Sequence, residues 1–65
     1  MAIWRYIEPG ENNEPIEHIV SDDTILDTYY PWWIEQMKKA GKERLISAQN
    51  CIDDWVVVHW AERVD

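Results

Sequence analysis

From residue 2 to residue 8 the side chains alternate, with Ile3, Arg5 and Ile7 on one face of an extended chain and Trp4, Tyr6 and Glu8 on the other. That two-residue period, in strand-favouring residue types, predicts a first β-strand. Pro9, Gly10, Glu11, Asn12, Asn13, Glu14 and Pro15 form a turn segment. Alternation resumes over residues 16–20, where Ile16, His18 and Val20 oppose Glu17 and Ile19, so the two runs assemble as a β-hairpin.

The period then changes. Ser21 is suited to cap a helix, and Asp22 and Asp23 place negative charge at the positive end of its dipole. Ile25, Leu26, Tyr29, Trp33 and Met37 recur at helical spacing, Lys38 and Lys39 follow, and Gly41 reads as a stop. A helix is predicted over residues 22–40. Pro31 removes one backbone donor inside it, so either the helix kinks near residues 27–30, which is the preferred reading, or two shorter helices abut with Pro31 opening the second. Ser47 to Asn50 offers a second cap, and Cys51, Ile52 and Trp55 fit one side of a short helix ending near Asp54. Residues 56–64 read as the strongest strand, because Val56, Val57 and Val58 are β-branched, and its near-continuous apolarity suggests pairing on both edges. The expected fold is α+β, a three-stranded antiparallel sheet in the order β-β-α-short α-β with one face covered by a long, Pro-kinked helix. Trp33 and Met37 are expected to face that sheet, with Val58 and Trp60 in its central layer. Residues 1–65 make a single domain, with no linker or internal repeat.

Composition sharpens this picture. A chain of 65 residues buries only about 60% of the surface its unfolded form exposes. Five Trp and three Tyr, with no Phe, supply large buried areas from few positions. They are more than so few elements easily bury, so one or two are expected at a contact surface. A deep catalytic pocket is hard to build at this size, which weighs against an enzyme. Cys51 is the single cysteine, so no internal disulfide forms and a reducing, cytoplasmic setting is expected. No run resembles a signal peptide or a membrane span.

Thirteen acidic residues face six basic ones, a formal net charge of −7. Residues 1–37 hold eight of the acids and only Arg5 as a base, whereas residues 38–65 are balanced. Such a charge repels phosphate and anionic lipid, so neither nucleic acid nor membrane is an expected direct partner. Asp23 and Asp27 lie about 6 Å apart along a helix axis, and Glu8, Glu11, Glu14 and Glu17 gather round the hairpin loop. Carboxylates at such intervals are comparable to the phosphates of a nucleic-acid strand. Acids also simply solvate a small domain and cap its helix. The segregation favours a use, because clustered like charge opposes folding.

Other chemistry has thin support. Cys51, His59, Asp53 and Asp54 are the ingredients for thiol catalysis, but a buried cysteine acting as a small hydrophobe accounts for them better. His18, His59 and Cys51 lack the paired local spacing of a zinc site. Gly10 and Gly41 are too far apart in sequence to form a phosphate-binding loop. No metal and no cofactor are expected.

The stretch Tyr29-Tyr30-Pro31-Trp32-Trp33 to Met37-Lys38-Lys39-Ala40-Gly41-Lys42, followed by Asn50-Cys51-Ile52-Asp53-Asp54-Trp55-Val56-Val57-Val58-His59-Trp60-Ala61, resembles short uncharacterised proteins of tailed phages and mobile elements. In size and acidity the chain is also similar to phage anti-CRISPR and anti-restriction inhibitors, some of which imitate DNA. The first resemblance carries no activity, and the second implies a non-enzymatic inhibitor. Its acidic half would occupy the basic nucleic-acid groove of a host defence protein, a CRISPR effector or restriction nuclease, in the host cytoplasm. Glu8, Glu11, Glu14, Glu17, Asp22, Asp23 and Asp27 are the expected contact residues. The alternative is an adaptor or regulatory module that binds through exposed Trp or Tyr, the acids serving only solubility.

Overall fold

The structure, a computed structural model, describes residues 2–65. Strand β1 (Ile3–Pro9) and strand β2 (Pro15–Ser21) pair antiparallel in uninterrupted register from Ile3 opposite Ser21 to Pro9 opposite Pro15. A short 3-10 turn, Glu11–Asn13, closes the hairpin. Asn12 and Asn13 take left-handed torsions there (φ 58° and 63°), which asparagine tolerates better than most residues. Gly10 is required by space: a Cβ would lie 2.7 Å from the Glu14 carbonyl oxygen and 2.8 Å from the Ile16 side chain.

Helix α1 (Asp22–Thr28) starts at Ser21, whose hydroxyl accepts from the Thr24 N–H. Helix α2 (Tyr30–Lys39) follows after Tyr29 alone, which keeps right-handed torsions and donates its N–H to the Ile25 carbonyl. The predicted 22–40 segment therefore consists of two helices abutting beside Pro31. Helix α3 (Ala48–His59) is capped by Ser47, whose hydroxyl accepts from the Asn50 N–H at 3.0 Å. Strand β3 (Glu62–Arg63) returns along β1, giving the sheet order β2-β1-β3.

The α+β class and the three-stranded antiparallel sheet stand as expected, but the last third of the chain is distributed differently. Val56, Val57, Val58 and His59 belong to α3, and the expected 56–64 strand shrinks to two residues on the sheet's edge. Strand β1 occupies the centre. The reason is packing: Cys51, Ile52, Trp55, Val56 and His59 form one helical stripe, and three of these residues are buried. Burying Ile and Trp side chains stabilises by about 1.5–3 kcal/mol each, against a helix penalty of only about 0.5 kcal/mol for a β-branched residue.

One face of the sheet, carrying Trp4, Tyr6 and Val20, packs on Ile25 of α1 and on Ile52 and Trp55 of α3. Helix α2 lies against α1 and α3 instead of the sheet. Trp33 is accordingly buried between helices, its indole N–H donating to Asp54 Oδ2 at 3.0 Å. Met37 lines a groove with Leu45 and Val57, so neither side chain faces the sheet as expected. The opposite sheet face carries Arg5, Ile7, Glu17 and Ile19 and is open to solvent.

Candidate functional site

The seven predicted contact acids do not form one array. Glu11 and Glu14 stand at the hairpin tip, whereas Asp22, Asp23 and Asp27 lie at the far end of β2, about 20 Å away across a seven-residue strand. Glu8 and Glu17 flank the tip on opposite faces of the sheet, as the register requires.

Three of the seven are engaged within the fold. Glu17 binds the Arg5 guanidinium at 2.8 Å, and Arg5 also pairs with Glu62, so one side chain links all three strands. Both carboxylates hold the Arg5 pKa above its usual value, the Glu17 hydrogen bond being the larger influence. Asp22 accepts from the Trp4 indole N–H at 2.7 Å and from the Ala2 N–H at 3.1 Å, tying β1 to the start of α1. Glu8 lies 3.0 Å from His18 Nε2, off hydrogen-bond geometry. Glu11, Glu14, Asp23 and Asp27 are exposed and make no ion pair among the described residues.

An aromatic cluster occupies the interface between sheet and helices. His18 stacks on Tyr6 with ring centroids 4.6 Å apart, Tyr6 meets Trp55 edge-on at 5.3 Å, and Trp55 stacks on His59 at 4.5 Å. The His59 ring is further fixed by a 2.9 Å contact from Nδ1 to the Trp55 carbonyl. His59 thus serves as a flat packing surface among Tyr6, Tyr29 and Trp55, and His18 as one against Tyr6.

This arrangement cannot assemble a thiol dyad. Cys51 and His59 are eight positions apart on one helix, roughly 12 Å along its axis. The thiol is fully buried, and its pKa is pushed up by burial and then by Asp54. Among the described residues, no three His, Cys, Asp or Glu side chains converge as metal ligands. No helix there is long and apolar enough to cross a membrane.

The exposed apolar residues are more distinctive than the charged ones. Trp60, expected in the central layer, is 92% exposed, and Val57, near the C-terminal end of α3, is 74% exposed. Val58 is exposed as well. Trp60 also carries left-handed torsions (φ 54°, ψ 37°) immediately after α3. Its N–H donates to the Val57 carbonyl and that of Ala61 to the Val56 carbonyl. Helix α2 ends with the same two bonds, from Gly41 to Lys38 and from Lys42 to Met37, but there glycine takes the left-handed position (φ 71°). Glycine is the usual occupant because it has no Cβ. Here an indole occupies the corresponding site and is held out into solvent.

Val58, His59 and Trp60 face Tyr6, Ile7 and Glu8 across an open cleft of about 430 Å³. The indole therefore stands at the rim of a depression with an apolar wall and one carboxylate. Trp60 and Val57 are not legible as surface residues in the sequence, where local β-propensity places both in a buried strand; the recurrence of Cys51, Trp55 and His59 every four positions is the available signal. Comparison with protein-family models, curated proteins and solved structures returns no match for this chain.

Proposed function

We propose that this domain is a non-catalytic protein-binding module that docks by burying Trp60 in an apolar slot of a partner whose surrounding surface is basic. The observation that carries this reading is the 92% exposure of Trp60 on a left-handed backbone. An L-residue in that conformation costs about 1–2 kcal/mol, and the indole recovers nothing by packing within the fold. Strain of this kind points to a role in which the side chain is used elsewhere. Tryptophan is also the residue most enriched among interface anchors. The basic partner follows from the net charge of −7 and from Glu8 lining the same cleft.

The charge segregation supports a second reading, in which the acidic half occupies the nucleic-acid groove of a host defence protein. Glu11 and Glu14 at the tip, with Asp23 and Asp27 on α1, would supply its free carboxylates.

Affinity capture from a host lysate, followed by titration of the purified captured protein, tests both. The first reading expects Trp60→Ser to weaken the complex by about 2 kcal/mol or more, roughly 30-fold, with Glu11→Gln/Glu14→Gln acting mainly on the association rate. Unchanged affinity in Trp60→Ser, together with loss of competition against DNA in the double Gln variant, would hand the case to the acidic-groove reading.

A further inference from the structure

We infer that the open edge of β2 is a docking strand for an extended, lysine- or arginine-bearing segment of another protein. This stands on a different part of the molecule from Trp60 and does not depend on it. The sheet order β2-β1-β3 leaves β2 with one side unpaired among the described residues. Natural edge strands are usually blunted by bulges, internal proline, lysine or shortness. Strand β2 has none of these: it runs seven residues, its register against β1 has no slip, its single proline is its first residue, and it carries no lysine. The other edge, β3, is only two residues long and is followed by Asp65, whose carboxylate accepts from the Ile3 N–H and from Arg63.

The backbone groups on that edge can be assigned. The Ala2 carbonyl accepts from Asp22 and the Glu14 carbonyl from Gly10, so even-numbered residues face one another across the hairpin, while the Ile3 carbonyl turns toward Val64 of the other edge. Antiparallel strands alternate between hydrogen-bonded and non-bonded pairs. Ile16, His18 and Val20 therefore bond β1, and the N–H and C=O groups of Glu17 and Ile19 point outward to the open edge. Pro15 offers no N–H. An added strand would gain main-chain hydrogen bonds at Glu17 and Ile19 and side-chain contact with the exposed Ile16 and Ile19.

Charge selects the occupant. Glu14 precedes the strand and Asp23 follows it, both without an ion pair among the described residues, while Glu17 within it is balanced by Arg5, and His18 is the only residue of β2 able to turn positive. A basic segment is complementary to this edge. A second copy of this chain would bring a net charge of −7 against −7, which opposes self-pairing.

Amide-resolved hydrogen exchange on the whole chain tests the inference, with short acetylated peptides alternating lysine and valine as the probe. The expected result is new protection at the Glu17 and Ile19 amides. A peptide N-methylated at alternate positions keeps its charge but loses the ladder, and should bind at least about tenfold more weakly. Ile19→Pro deletes only an outward N–H, so the hairpin should persist and peptide binding fall by a similar factor. Trp60→Ser should leave peptide binding unchanged, which separates this surface from the one proposed above. Equal binding of the N-methylated peptide, or absence of protection at Glu17 and Ile19, would overturn the inference. Protection that grows with protein concentration alone, alongside a dimer in ultracentrifugation, would assign the edge to a second copy and overturn it as well.

Discussion

At the scale of single residues, Trp60 and Cys51 separate what holds the fold together from what the fold displays. Trp60 occupies a backbone position that Gly41 fills at the end of α2, and its side chain has no counterpart contact in the core. Replacing it by glycine should remove the left-handed strain and stabilise the domain by about 1 kcal/mol, a rise in Tm of about 4–8 °C for a chain this small. Calorimetry on Trp60→Gly and Trp60→Ala distinguishes this from a simple gain on losing an exposed indole. Alanine keeps a Cβ in the same torsions and should gain little. A stabilising substitution that abolishes binding would show the two demands in conflict at one position. Cys51 is the opposite case. Its thiol is fully buried and held above its ordinary pKa near 9 by burial and by Asp54, and Tyr29 is raised above its ordinary value near 10, first by burial and then by Asp54. Both groups stay protonated in the folded chain at a pH where the unfolded chain has begun to release those protons. Stability from this source is therefore complete below about pH 9 and is lost as pH rises further. Denaturant melts between pH 8 and pH 11 should show that decline, and Cys51→Ala should flatten part of it. Iodoacetamide should leave the native thiol unmodified until the protein unfolds.

At the scale of elements, the hairpin and the helical segment beginning at Asp22 were legible because their periods are clean and their ends are marked by chemistry: the Pro9–Pro15 turn residues, the Ser21 cap, Gly41. Helix α3 was half legible. Ser47 and the Cys51, Ile52, Trp55 stripe mark its start in the sequence, but the β-propensity of Val56, Val57 and Val58 points to a strand and competes with a stripe that continues to His59. Propensity acts at a few tenths of a kcal/mol per residue, whereas the stripe buries whole side chains. The two assignments make opposite predictions for Val57. As a central strand residue, Val57→Ala would cost about 2 kcal/mol or more; on the solvent face of α3 it should stabilise the helix by about 0.5 kcal/mol. A urea melt decides between them. Trp33 gives the complementary check on α2. Trp33→Ala should cost about 3–5 kcal/mol and leave so small a domain largely unfolded, because the indole is buried between helices and satisfies Asp54. Asp54→Asn keeps an acceptor for that N–H and should cost far less.

At the scale of the whole molecule, the slab of 39 × 27 × 17 Å has no room to keep acids and exposed apolar side chains on separate domains, so any partner would meet both. The segregated charge was visible in the sequence, but the placement of the acids was not: whether Glu17 and Asp22 are free depends on Arg5, Trp4 and the Ala2 amide, which only the folded register brings within reach. The outward Trp60 was hidden for the same reason, since its exposure follows from where α3 ends. Long-range charge and a desolvated anchor leave different kinetic signatures. Charges act during encounter over about a Debye length, which shrinks from about 10 Å at 0.1 M salt to about 3 Å at 1 M, so raising the salt should slow association with a basic partner steeply. An indole buried in a slot acts after encounter, so dissociation should respond to Trp60 and hardly to salt. Surface plasmon resonance across this salt range should therefore give two separable effects. Glu11→Gln/Glu14→Gln should lower the association rate and flatten its salt dependence, leaving dissociation nearly unchanged. Trp60→Gly should speed dissociation by roughly 30-fold while the salt slope of association stays as in the unsubstituted chain. If both variants change only the association rate, the indole is not an anchor and the carboxylates carry the complex. If both change only dissociation, the charge on this domain has no steering role.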